Sequence, residues 1–140
     1  VLREIAGVRQ DHADLRRRWF QDDYLDLFVW TSPAAELRAF QLAYDRAGDE
    51  HLLDWAHSRG YLHRRVDDGR GSFRGIGATP LLALGKRFPK YRVIAQFDAR
   101  SATLDEPLRR MVRQRLAAYS PGRAGRNLTL RRGHHRAHRF

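Results

Sequence analysis

A chain of 140 residues, 42% of them apolar, has room for a single domain with its own core, and no apolar run reaches the length of a membrane-spanning helix. Cysteine is absent, which excludes disulfides, thiolate nucleophiles and cysteine-ligated metal centres. The net charge of +11 is uneven: no acidic residue follows Glu106, and residues 121–140 alone carry six arginines, a stretch that suits a polyanion partner or equally reflects GC-rich coding.

The first residues, "VLREIAGVRQDH", are charged where an export signal needs an apolar stretch, and the expectation is a cytoplasmic protein without membrane association. Residues 11–18 fit a helix or a strand equally. From Tyr24 to Trp30 the residues alternate, Leu25, Leu27 and Val29 on one side, Tyr24, Asp26, Phe28 and Trp30 on the other. That period of two marks a strand. The turn "TSPAAE" with Pro33 leads to "LRAFQLAYD", which sets Phe40, Leu42 and Tyr44 on one face and predicts an antiparallel hairpin. Pairing Trp30 with Arg38 sets Asp26 against Leu42, and a shift of one sets it against Gln41. Either way a carboxylate falls among aromatic rings and needs a partner, whereas Asp22 and Asp23 lie where the chain can bend into water.

After the turn "RAGDE", the strands "HLLDWAH" and "YLHRRVDD" flank the tight turn "SRG", with Trp55 expected across from His63. The Gly-rich loop "GRGSFRGIGA" precedes a short buried strand, "TPLLAL". Phe88, Tyr91, Ile94 and Phe97 then recur every third residue, a helix with Pro89 in its first turn. A second helix begins near Asp105, has Pro107 in its first turn and presents Leu108, Met111, Val112, Leu116 and Tyr119 before the stop "SPG". The fold class is therefore α+β: an antiparallel meander of four to five strands with two C-terminal helices packed on one face. Residues 1–120 form the domain. Residues 121–140 lack periodicity and core-forming residues, and are expected to be a disordered Arg/His-rich tail.

Four polar residues stand out as a candidate cluster: Asp26, His63, Arg65 and Asp67. On one sheet face beside aromatic rings they would make a general acid/base site or an anion pocket. The structural alternative is that Arg65 neutralises Asp26. His51, His57 and His63, spaced by six and six, match no helical ligand pair, so no metal or other cofactor is expected. The loop glycines suggest a phosphate cradle with Arg70 and Arg74 as its positive arms, but a strand rather than a helix follows, contrary to the dinucleotide pattern. Arg123, Arg126, Arg131, Arg132, Arg136 and Arg139 are the tail's candidate anion contacts.

In order, "RRWFQDDYLDLFVW", "FQLAYD" and "HRRVDDG" resemble a family of short bacterial proteins of unknown function, over residues 17 to about 119. The resemblance implies an intact natural domain and transfers no catalytic residue. The expected function is a non-catalytic accessory binding module for an anionic partner, whether nucleic acid, protein or small metabolite. The alternative is a small enzyme using Asp26, His63 and Asp67 on an anionic substrate. An edge strand such as "YLHRRVDD" leaves a homo-oligomer open.

Overall fold

The computed structural model describes residues 1–66 and 87–120. Six strands follow one another as an antiparallel meander: β1 Arg3–Glu4, β2 Arg16–Gln21, β3 Asp26–Thr31, β4 Leu37–Tyr44, β5 His51–Ala56 and β6 Gly60–Arg65. Helices α1, Lys90–Arg100, and α2, Glu106–Ala117, come after them. The α+β class holds, but the described residues form six strands rather than four or five. The additional strands are β1, only two residues long, and β2, which begins in the segment 11–18 whose pattern fitted two structures. Arg18 occupies an inward-facing position of β2, its guanidinium over the Phe20 ring while it pairs with Glu4 and Asp105. A long stem that packs while its charged head is paired hides the alternation of a strand.

Phe20, Leu27, Val29, Phe40, Leu42, Leu53 and Trp55 point to one face of the sheet and are buried in one cluster with Val93, Ile94 and Phe97 of α1 and Leu108, Val112 and Leu116 of α2. In α2 these residues recur every fourth position, one stripe of a helix. In α1 the spacing of three misleads: each step falls back about 60° on a helix of 3.6 residues per turn. Tyr91 is thereby carried off the stripe and is 80% exposed, while Val93 takes the inward place.

The β3–β4 register differs from both expected ones. Asp26 lies opposite Ala43 and Trp30 opposite Ala39, but Thr31 lies opposite Leu37, so Arg38 is the extra residue of a bulge. At the β5–β6 turn Ala56 meets Gly60, whose φ of 97° suits glycine, and Trp55 faces Tyr61 while His63 faces Leu53. The expected "TPLLAL" strand lies outside the described residues.

The sheet turns are fastened to the helices by polar contacts. Asp22, expected in water, is buried: its Oδ1 accepts the N–H groups of Tyr24 and Leu25, each at 2.8 Å, and its Oδ2 takes Arg100 Nη1 at 3.0 Å. Leu2 donates its N–H to the Arg100 carbonyl and accepts the Thr103 hydroxyl, which ties the start of the chain to the turn between the helices.

Candidate functional site

Side chains alternate across a strand, so neighbours in the pleat decide what can meet. Asp26 shares its row with Gln21, Ala43, Leu52 and Arg64, on the face turned away from the helices. There Trp19 Nε1 donates to Asp26 Oδ1 at 2.5 Å and Gln21 Nε2 does so at 3.3 Å. His63 shares its row with Leu53, Leu42 and Leu27, on the helix face. The sheet itself therefore separates Asp26 from His63, and the expected cluster is not assembled. Arg65 is on the helix face with His63 but at the exposed edge, where its Nε lies 3.5 Å from Asp49. Asp67, Arg70, Arg74 and the six tail arginines lie outside the described residues.

Around His63 the structure builds a different constellation. Its Nε2 lies 2.7 Å from the Tyr44 hydroxyl, and the two rings stack almost parallel. His51 stacks on both, 5.4 Å from His63 and 6.0 Å from Tyr44, and its Nδ1 bonds the Asp49 carbonyl at 2.9 Å. Phe88 meets the Tyr44 and His63 rings edge-on, and Tyr119 meets Phe88 and Tyr61. Tyr44, His51 and His63 are 2%, 3% and 7% exposed, so this group is built as core. Burial pushes the Tyr44 phenol well above its usual range.

One strand end away, Arg92 of α1 forks onto both oxygens of Asp45, at 2.8 and 3.0 Å, and its Nη1 donates to the Tyr24 hydroxyl at 2.6 Å. The fork, countered in part by burial, holds the Asp45 carboxyl below its ordinary value. Burial and Asp45 together push Tyr24 up to about 12. Asp45 takes a left-handed φ of 57° immediately after β4. Asp45 and Arg92 carry no signal in the sequence reading, in which Tyr24 stands only as a strand residue and His51 only as one of three spaced histidines. Counting register outward from the 45–50 turn would have placed His51 opposite Tyr44.

On the opposite face Trp19 stacks on Phe28 at 5.1 Å, and the Arg17 guanidinium lies 4.5 Å from the Phe28 centroid. The Phe28 ring thus has neighbours within the protein for its stacking, and Asp11 pairs with Arg17 at 3.7 Å. Among the described residues no group of His, Asp and Glu converges as a metal site, and no helix is long and apolar enough to cross a membrane.

Charge divides along the chain. Residues 1–66 hold ten basic and eleven acidic residues, whereas residues 87–140 hold fourteen basic and three acidic ones. Each of those three carboxylates has an arginine partner: Asp98 with Arg113, Asp105 with Arg18, and Glu106 with Arg109 and Arg110. Arg87, Lys90 and Arg115 have no carboxylate within ion-pair distance among the described residues. Lys90 Nζ instead reaches the Tyr119 carbonyl at 3.3 Å, and Arg115 lies over the Trp55 ring. No known protein family, curated protein or solved structure matches this chain.

Proposed function

We propose that this chain is a small α+β binding module for an anionic partner, with a nucleic-acid backbone as the class it fits best. Its binding surface is the basic helical half, continued by the arginines of residues 121–140. The observation that carries this reading is the charge division: a balanced sheet, and a helical half whose few carboxylates are already engaged. Arg87 and Lys90 gather where α1 begins, beside Tyr119, and the arginine-rich stretch starts a few residues after that tyrosine. Cations so placed bind phosphates through counterion release, giving affinity with little sequence preference. The acid/base alternative draws no support from the geometry, since Asp26 and His63 point to opposite faces.

The test is fluorescence anisotropy of labelled RNA and DNA oligonucleotides across a salt series, comparing residues 1–140 with 1–120. Binding that weakens linearly in log affinity against log salt, and weakens further on truncation, supports the module. Absence of binding by both chain lengths at about 50 mM salt, where phosphate contacts are strong, overturns it.

A further inference from the structure

The bulge between β3 and β4 leaves Arg38 without a residue opposite it on β3, and bulges of this kind re-aim side chains. Its backbone carbonyl accepts the His57 N–H at 2.8 Å, and its Nη2 lies 3.3 Å from His57 Nδ1. A guanidinium has no acceptor, so it donates and His57 Nδ1 accepts. A neutral His57 therefore carries its proton on Nε2. His12 is fixed the same way, because its Nδ1 accepts the Asp14 backbone N–H at 3.2 Å. His12, Asp14, Leu15, Arg38, His57 and Ser58 line one cavity of about 230 Å³. The residues of its wall thus carry two imidazole Nε2–H donors, a hydroxyl and the remaining guanidinium N–H groups of Arg38, which has no carboxylate within ion-pair distance among the described residues.

We propose that this cavity binds a small oxyanion, a phosphate or carboxylate group, at the end of the sheet. The site is independent of the basic helical half. Asp14 is the single carboxylate on the wall and offsets the charge of Arg38, so binding rests on directed hydrogen bonds rather than on an excess of cations. It follows that occupancy depends on salt much less steeply than polyanion binding does.

The experiment uses the full chain. Long-range 1H–15N spectra should show His12 and His57 as Nε2–H tautomers. Titration with inorganic phosphate, and separately with acetate, at constant ionic strength should move both imidazole signals saturably, the tighter probe telling which oxyanion the cavity prefers. Arg38→Gln should weaken that binding about tenfold or more. If the exchange at Arg38 unfolds the chain, His57→Ala, at an exposed turn residue, carries the same reading. The proposal is overturned by Nδ1–H tautomers, by shifts no larger than chloride produces, or by phosphate and acetate affinities that survive the folded variant unchanged.

Discussion

The Asp22 carboxylate meets the Arg100 guanidinium at 3.0 Å, joining the β2–β3 turn to the last residue of α1. The same carboxylate caps two backbone N–H groups of its own turn, so it holds a local shape and a tertiary contact together. Removing it leaves buried donors unsatisfied, which usually costs more than the bond itself contributes. Asp22→Ala is expected to lower stability by about 3 kcal/mol and Asp22→Asn, which keeps an acceptor, by about half as much. Arg100→Gln should cost less, about 1 kcal/mol, because that side chain is partly in water. Urea unfolding of the three variants tests the order. A loss at Arg100 equal to that of Asp22→Ala would show that the ion pair, and not the turn, dominates.

Acid should destabilise the fold. Burial pushes Asp22 up, but the Leu25 and Tyr24 N–H groups and Arg100 outweigh it and hold the carboxyl below its ordinary value. Glu4 is held low chiefly by its hydrogen bond from Arg18, and Asp45 by Arg92. A folded-state value below the unfolded one contributes stability that is present above the unfolded range, about pH 4, and is lost as pH falls through the folded value. Glu50, raised by burial, acts with the opposite sign and contributes only while it stays protonated. Unfolding free energy should therefore fall from about pH 5 toward about pH 2. The fall should be shallower in Asp22→Ala. An unchanged slope in that variant would remove Asp22 from the account.

Tyr44→Phe keeps the ring stack with His51 and His63 while deleting the hydroxyl 2.7 Å from His63 Nε2. A buried hydrogen bond of this type is worth about 1–2 kcal/mol, and the variant should lose that amount with its near-ultraviolet spectrum otherwise retained. Burial also raises the Tyr44 phenol, so the stability it contributes is present below about pH 10, the ordinary phenol value, and is lost as pH rises toward the folded one. Alkaline ultraviolet titration should show one tyrosine fewer ionising together with unfolding in the variant. An unaltered profile would mean that Tyr44 ionises freely and is not sealed in the core.

Much of the fold is legible in the sequence because alternation is clean where a strand buries one face. Leu25, Leu27 and Val29, and then Phe40, Leu42 and Tyr44, are assigned their common side by spacing alone. Leu108, Val112 and Leu116 do the same for α2. β1 is hidden because two exposed residues show no alternation, and β2 because Arg18 fills an inward position. The site reading failed on register: the bulge at Arg38 shifts β4 relative to β3 by a residue that no local pattern announces. Asp26 was legible as a carboxylate among rings, and its partner is the Trp19 indole rather than an arginine. Tyr44 and His51 meet through a six-residue turn whose length fixes the pairing only once both strand ends are known.

The proposed binding surface can be dissected at its folded part. Arg87 is exposed and Lys90 half-buried, and neither has a carboxylate partner among the described residues, so exchanging both for glutamine removes two cations while breaking no described ion pair. The cost in stability should stay within about 0.5 kcal/mol, as for surface changes generally. If both cations contact phosphates, the slope of log affinity against log salt should become shallower by about 1.8 on double-stranded DNA, since each contact contributes about 0.9. Arg113→Gln serves as the comparison, because its guanidinium is already committed to Asp98 at 2.8 Å and the exchange should change the slope little. A slope that shifts with Arg113 as much as with the Arg87 and Lys90 pair would place the polyanion on the outer helix surface instead. A slope that moves with neither, but collapses when residues 121–140 are removed, would assign the whole affinity to that stretch and leave the folded half as its carrier.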